Sequence, residues 1–276
     1  MGANDNHNRR THMARKTATP KLLQANTEPD SLRIVKTDTK HQPVNNSLKI
    51  RLDDLKTFDP LTDNQKLFFD AYKRGDYFVA LHGVAGTGKT FIAFYKAIEE
   101  VLDKTNPFKK IIIVRSAVQS REIGHLPGDI TEKLEIYQQP YRQICNTLFG
   151  RADAYQRLEE QGFVEFISTS FIRGMSFDDA IIIVDEMQNM NFEEIDTVMT
   201  RVGYRSKIIW CGDYRQTDLR RSNDKTGILK FFDIAYHMRA FTKIEFTADD
   251  IVRSSLVKDY ILAKIRYEDM NAGTNS

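Results

Sequence analysis

Residues 83–90 read Gly-Val-Ala-Gly-Thr-Gly-Lys-Thr and match the phosphate-binding pattern G-x-x-x-x-G-K-[ST] at every fixed position. Residues 77–81, just before them, are largely apolar and typical of a buried strand, while the residues from Thr90 onward open a helix. Glycines let backbone amides turn toward an anion, and a helix N-terminus adds a favourable partial charge. The stretch therefore predicts a phosphate-binding loop between a strand and a helix, and an α/β fold around it.

Two side chains of this loop have separate predicted roles. Lys89 supplies a point charge for the β- and γ-phosphates of a nucleotide, and the Thr90 hydroxyl can coordinate Mg²⁺. The predicted nucleotide contacts are Gly83, Val84, Ala85, Gly86, Thr87, Gly88, Lys89 and Thr90. A glycine-rich turn without a ligand is the alternative, but the flanking strand and helix argue against it.

Composition narrows the class of protein further. The chain has 276 residues, 41 % of them hydrophobic, and a formal net charge of +2, which permits nucleic-acid binding without demanding it. Its two cysteines, Cys145 and Cys211, lie far apart and suggest neither a disulfide framework nor a metal site. No apolar run approaches the ~18 residues of a membrane span, and no signal peptide opens the chain. We therefore expect a cytoplasmic protein that does not associate with membranes.

Two regions differ in composition. Residues 1–45 are rich in Asn, Thr, Lys and Arg and poor in apolar periodicity, which predicts a disordered basic arm. Its Arg and Lys side chains can contact nucleic acid or simply act as a solubilising tail. Residues 46–276 have the composition of one folded domain.

Short β-rich runs alternate with helical stretches throughout that domain. Predicted strands cover residues 77–81, 111–114, 164–167, 181–184, 207–210 and 243–246. Several are unbroken apolar runs, which suits parallel strands covered on both faces. Predicted helices follow the loop, span about 129–148, begin at an Asn191–Glu194 cap before residues 195–202, and cover about 249–268. This order predicts βαβ units and a doubly wound, mostly parallel sheet.

Two carboxylates follow the apolar run at residues 181–184. Asp185 comes directly after the run, where it can hold Mg²⁺ directly or through water. Glu186 can polarise a water molecule for attack on the γ-phosphate. An ordinary surface turn is the alternative, but behind a matching phosphate-binding loop the catalytic interpretation is favoured.

Three further polar residues are candidates for the same site. Gln216 follows the strand at residues 207–210, where it can sense the γ-phosphate or orient the attacking water, while Asp213 can support the metal shell. Upstream, the Gln65 carboxamide can read both the donor and the acceptor of an adenine edge. For this segment a plain helix cap by Thr62 or Asp63 is the alternative.

An ordered set of short motifs resembles the phosphate-starvation PhoH-like ATPases over about residues 57–268. The set comprises Thr62-x-x-Gln65, the loop at 83–90, Val114-Arg115-Ser116-Ala117-Val118, Arg121-x-x-Gly124-x-Leu126-Pro127-Gly128-Asp129, Asp185-Glu186-Met187-Gln188-Asn189, Gly212-Asp213-x-x-Gln216-x-Asp218-Leu219 and Asp250-Ile251-Val252-Arg253-Ser254. The resemblance implies a single P-loop domain of RecA-like fold, similar to the motor domain of superfamily 1 helicases. It also implies ATP and Mg²⁺ as ligands, ATP hydrolysis, and action on RNA or single-stranded DNA.

The same resemblance also bears on how subunits assemble and on which members of the family the chain is most like. It suggests that Arg253 completes a neighbour's active site, the alternative being an ion pair with Asp249 or Asp250. The motifs occupy the length of one motor domain, so we expect either a homo-oligomer, for which the family favours a hexameric ring, or an enzyme that hydrolyses ATP slowly without translocating. Ser116 stands where cellular members usually have proline, and Ser254-Ser255 where His-Pro is usual. In these respects the chain looks more like the short members carried by bacteriophages.

Two other functions are compatible with a phosphate-binding loop. A kinase of a small molecule or nucleotide would use the same loop but would need an acceptor pocket. A scaffold that only senses the nucleotide would bind ATP without hydrolysing it. Glu186 beside the metal carboxylate favours water as the acceptor, so the sequence favours an ATPase.

Overall fold

The computed structural model describes Met1 and residues 49–116, 130–214 and 226–273. Within these ranges six parallel strands form one sheet: β1 Phe78–Gly83, β2 Lys110–Arg115, β3 Val164–Ser168, β4 Ala180–Val184, β5 Lys207–Gly212 and β6 Phe241–Phe246. Their order across the sheet is β3-β2-β4-β5-β1-β6. Each of the six predicted strands is confirmed, with ends that differ by at most two residues.

Helices cover both faces of the sheet. They are α1 Asp63–Arg74, α2 Lys89–Leu102, α3 Ile130–Phe149, α4 Ala154–Glu160, α5 Phe192–Met199, α6 Thr226–Tyr236 and α7 Ser255–Gly273. Helices α1 to α4 supply one hydrophobic core, and α5 and α6 supply the other. The predicted doubly wound α/β fold is confirmed.

Strand β4 shows why its sequence is an unbroken apolar run. Ile181 and Ile183 pack into the core under α1 to α4, whereas Ile182 packs into the core on the opposite face. All three side chains are fully buried. Because successive side chains of a strand point to opposite faces, a strand covered on both sides needs apolar residues at every position.

Strand order brings the carboxyl ends of three strands together. Strand β5 pairs with β1 on one side and with β4 on the other. The residues that follow β5 therefore lie between the phosphate-binding loop after β1 and the carboxylates after β4. Ligands of open α/β sheets bind at this edge.

Two predicted helices have different limits in the structure. Helix α5 starts at the predicted cap, since the Asn191 side chain accepts from the Glu194 N–H and Glu194 accepts from the Asn191 N–H, but it ends at Met199. The prediction of a final helix from residue 249 is wrong at its start. Residues Ala248–Asp250 form a 3-10 turn, in which the Thr247 hydroxyl accepts from the Asp249 N–H and the Asp250 carboxylate from the Thr247 N–H.

Helix α7 accordingly begins only at Ser255. The side of this helix that carries Leu256 and Tyr260 does not pack against the domain, because the two side chains are 78 % and 69 % exposed. The predicted arm at 1–45 and the Leu-Pro-Gly-Asp segment at 126–129 lie outside the described residues. Within the described ranges, no helix combines the length and apolar character needed to cross a membrane.

Candidate nucleotide-binding site

The phosphate-binding loop ends at the first turn of α2. Gly86 and Gly88 have φ angles of +78° and +82°, in the left-handed region that glycine adopts without strain. Gly88 is the residue before the helix, and no side chain caps the first turn. The N–H groups at the start of α2 are thus left for an anion, as a phosphate site requires.

Gly83 has a different role from the one the loop pattern suggests. Its φ is +128°, and a Cβ atom at this position would lie 2.0 Å from the carbonyl oxygen of Phe246 in β6. The next residue, Val84, donates its N–H to that same oxygen over 2.9 Å. Gly83 therefore permits close contact between β1 and β6 beneath the loop, and Ala85 lies exposed above it.

Lys89 is buried below the loop and fully engaged with the chain itself. Its Nζ lies 2.7 Å from the Val84 carbonyl oxygen, 3.1 Å from the Thr87 hydroxyl and 2.8 Å from an Asp213 carboxylate oxygen. These contacts match the three donors of an ammonium group. The sequence suggests Asp213 as support for the metal shell; the structure places it against Lys89 instead.

The two predicted metal ligands are in direct contact. Thr90 Oγ1 donates to Asp185 Oδ1 over 2.7 Å, although the two residues are 95 positions apart in the chain. Asp185 is 4 % exposed. Metal binding by this pair stays a prediction, but a hydroxyl and a carboxylate oxygen side by side suit Mg²⁺.

Besides Thr90, one residue that was not predicted from the sequence contacts the Asp185 carboxylate. Tyr141 of α3 donates its hydroxyl to Asp185 Oδ2 over 2.7 Å, and its side chain is fully buried. Burial raises the pKa of the Tyr141 hydroxyl, and the neighbouring Asp185 charge adds to this effect. The hydroxyl therefore stays protonated and able to donate.

Glu186 has a strained backbone and a perturbed carboxylate. Its φ of +55° is unusual for a residue other than glycine, and such strain is often found at functional sites. Burial raises the pKa of the Glu186 carboxyl group, the charges of Asp185 and Asp213 add to the rise, and Arg115 opposes it. A carboxylate with a raised pKa is a better proton acceptor near neutral pH.

Arg115 and Gln188 hold Glu186, and Gln188 also connects it to the residue after β5, Asp213. Arg115 Nη2 lies 3.8 Å from Glu186 Oε1, and its guanidinium sits over the Tyr137 ring. The Gln188 amide donates to Glu186 Oε2, while its oxygen accepts from the Asp213 N–H over 3.0 Å. Arg115 thus lines the pocket and also pairs with an acid.

The Gln65 side chain holds the loop in place. It is 2 % exposed, its Nε2 donates to the Thr87 carbonyl over 2.9 Å, and its Oε1 accepts from the Leu61 N–H over 2.8 Å. The Thr62 hydroxyl also caps α1 by accepting from the Gln65 N–H. Gln65 lines the nucleotide pocket, and its reading of a base stays a prediction.

Arg253 lies against the loop of its own chain. Its Cγ would be 3.0 Å from a Cβ on Gly86, and the neighbouring Val252 N–H donates to the Gly86 carbonyl over 3.1 Å. Among the described residues no ion pair joins Arg253 to Asp249 or Asp250. Arg253 thus lines the cavity of its own chain, and its action on a neighbour's site stays a prediction.

A single cavity of about 410 Å³ connects these groups. One wall is the phosphate-binding loop with Val252 and Arg253, and another carries Asp185, Glu186 and Asp213. The wall not foreseen from the sequence comes from α3, through Pro140, Gln143, Ile144 and Thr147. Gln216 lies outside the described residues, so its predicted role is untested.

Fold and site together define a P-loop nucleotide-binding protein of the nucleoside-triphosphatase class. The parallel sheet, the loop between β1 and α2, and a buried aspartate after a second strand are its defining features. The PhoH-like protein family model matches residues 57–264. The chain therefore belongs to the PhoH-like family.

Curated relatives agree with this assignment. The chain is similar to the PhoH-like protein of Mycobacterium leprae, with 34 % identity over 80 % of this chain and 62 % of the relative. It is 36 % identical to the PhoH-like protein of Bacillus subtilis, over 73 % of this chain and 62 % of the relative. Protein PhoH of Escherichia coli is 34 % identical over 63 % of this chain and 49 % of its own length. The chain thus spans about three fifths or less of these relatives.

Proposed function

We propose that the chain is a Mg²⁺-dependent ATPase that acts on RNA or single-stranded DNA, as a homo-oligomer. The observation that carries the enzymatic part is the contact between Thr90 and Asp185, with Glu186 as the next residue and Lys89 in the same cavity. This arrangement unites a phosphate-binding cation, a metal site and a base. A purely structural loop would not need all three.

The residues present fit a nucleotide with its metal ion. The uncapped first turn of α2 and the buried Lys89 suit phosphates, and Thr90 with Asp185 would hold Mg²⁺. When bound, Mg²⁺ neutralises charge on the β- and γ-phosphates. Glu186 accepts a proton from the attacking water, while Arg115 and Arg253, which both line the cavity, supply positive charge.

Two parts of the proposal, action on nucleic acid and assembly of subunits, are supported by the family resemblance and by composition. The family resemblance favours a nucleic-acid partner, which the basic residues of the segment at 1–45 could contact. Gln216 would sense the γ-phosphate or orient the attacking water, and the hexameric ring follows from the family resemblance. Both proposals concern the whole protein and are open to direct measurement.

Steady-state ATP hydrolysis, measured alone and with RNA or single-stranded DNA, tests the proposal. Lys89→Ala should remove most of the ATP affinity, because it deletes the charge facing the phosphates. Glu186→Gln should bind ATP like the parent but turn over roughly 10²-fold more slowly, as expected for loss of a general base. Glu193→Gln is the matched control, since Glu193 is an exposed acid of α5 outside the cavity.

Two outcomes would favour the other functions. Transfer of phosphate to an added small molecule or nucleotide, faster than to water, would indicate a kinase. Tight ATP binding without hydrolysis in a single-turnover experiment would indicate a nucleotide-sensing scaffold. Hydrolysis by Glu186→Gln at the parent rate would show that another group is the base.

A further inference from the structure

The metal-site carboxylate of Asp185 receives two hydroxyl hydrogen bonds, one on each oxygen. Thr90 donates to Oδ1 and Tyr141 donates to Oδ2, both over 2.7 Å. Thr90 belongs to the phosphate-binding loop, and its hydroxyl opens onto the nucleotide cavity. Tyr141 belongs to α3 and is not part of the cavity lining. The two donors are therefore on opposite sides of the carboxylate.

The Tyr141 ring is held by its neighbours. It contacts the Phe94 ring edge-to-face at a centroid distance of 5.7 Å and the Phe166 ring at 6.0 Å. Its side chain is fully buried, so the hydroxyl has no route to another partner without repacking of the core. The Thr90 hydroxyl, in contrast, only has to rotate to face a ligand in the cavity.

We propose that Tyr141 is a positioning residue that keeps Oδ2 of Asp185 occupied, so that the carboxylate presents only Oδ1 to a metal ion. This role rests on the proposed Mg²⁺-nucleotide site. Mg²⁺ is small and demands near-octahedral geometry, whereas Ca²⁺ accepts carboxylates with both oxygens bound. A carboxylate restricted to one oxygen therefore favours Mg²⁺ over Ca²⁺.

The Tyr141→Phe variant tests this role because it removes the hydroxyl and keeps the ring against Phe94 and Phe166. Binding of a fluorescent, non-hydrolysable ATP analogue is titrated with Mg²⁺, with Ca²⁺ and in EDTA. The Mg²⁺ concentration at half-effect should rise about 10- to 100-fold, the range typical for loss of a residue that orients a metal ligand. The Ca²⁺ requirement should rise less, and binding in EDTA should stay within twofold of the parent.

Tyr95→Phe is the matched control. Tyr95 is also buried, and its hydroxyl accepts from the Phe58 N–H over 3.3 Å, away from Asp185. This variant should keep the parent's metal requirement. In an Asp185→Asn background the Tyr141→Phe change should have no further effect on the metal titration, because a residue that acts through Asp185 loses its target there. A structural role in the core would persist in that background.

The outcomes separate this role from the proposed function. If the parent binds the analogue with a clear Mg²⁺ dependence and Tyr141→Phe binds it identically, Tyr141 does not position the carboxylate. An equal loss of Mg²⁺ and Ca²⁺ response would also overturn the selectivity argument. A parent chain whose analogue binding ignores Mg²⁺ would overturn the metal site, and this role with it.

Discussion

At the scale of single residues, the contacts of Lys89 define what a nucleotide has to displace. Its ammonium is saturated by the Val84 carbonyl, the Thr87 hydroxyl and the Asp213 carboxylate. The Asp213 carboxylate lies beside the charge that otherwise faces phosphate. Lys89 is almost completely buried, whereas the Asp213 side chain is 40 % exposed and so free to leave. Asp213 thus competes with phosphate for Lys89.

The substitution Asp213→Asn should raise nucleotide affinity. Asparagine keeps the size of the side chain but removes the negative charge, so phosphate no longer competes with a carboxylate. The pair is partly exposed, so the gain should be modest, about threefold to tenfold in Kd for ATP. Calorimetric titration of ATP into parent and variant gives the comparison. Asp233→Asn, an exposed site on α6, should leave the Kd unchanged; weaker binding by Asp213→Asn would show that Asp213 aids the nucleotide.

At the scale of elements, the contact between β1 and β6 depends on one glycine. A Cβ atom on Gly83 would lie 2.0 Å from the carbonyl oxygen and 2.8 Å from the carbonyl carbon of Phe246. Backbone atoms of a paired strand cannot move aside as a flexible side chain can. The loop pattern requires glycine here for phosphate binding, but in the structure the packing of the two strands already excludes any other residue.

We expect Gly83→Ala to lower the free energy of unfolding by roughly 3–5 kcal/mol, the sum of backbone strain and overpacking. Urea unfolding followed by circular dichroism measures the change. Gly162→Ala is the control, because Gly162 has a φ of +75° but nothing within 4 Å of its Cβ position. Gly162→Ala should therefore lower the free energy of unfolding only by the conformational penalty of about 1 kcal/mol. Equal losses for the two variants would mean that β6 moves away freely from β1.

At the scale of the whole molecule, the position of Arg253 decides whether a catalytic site needs a second subunit. The family resemblance predicts action across an interface. In the structure the chain after β6 turns back over its own loop, and Val252 is hydrogen-bonded to Gly86. Arg253 lines its own cavity as a result. The site as described contains an arginine without help from a neighbour.

Mixing two inactive variants distinguishes these possibilities. Arg253→Ala should lower turnover about 10²-fold or more, since its charge offsets the charge that develops on the transferred phosphoryl group. Equal amounts of Arg253→Ala and Glu186→Gln should give no more ATP hydrolysis than the two variants measured separately, because each site uses its own arginine. Mixtures of either variant with the parent calibrate the assay. Activity above the separate sum would support the arginine acting between subunits.

Several features of this protein follow from the sequence alone, because they depend on residues that are neighbours in the chain. The phosphate-binding loop is one contiguous segment whose glycines set the backbone angles. The four inner strands β1, β2, β4 and β5 can be predicted because burial on both faces requires apolar runs. The cap at Asn191 and Glu194 is likewise local. Family membership follows from the order of such segments.

The contacts that surround Lys89, Asp185 and Arg253 in the site depend on tertiary structure. Asp213 contacts Lys89 because β5 lies between β1 and β4, a strand order that no local pattern specifies. Tyr141 contacts Asp185 because α3 joins the core that also contains Ile181 and Ile183 of β4, and Arg253 faces its own loop because the neighbouring Val252 N–H is bonded to the Gly86 carbonyl. In each case two groups distant in sequence meet only once the sheet and its helices are packed, and packing is a property of the whole fold rather than of any segment.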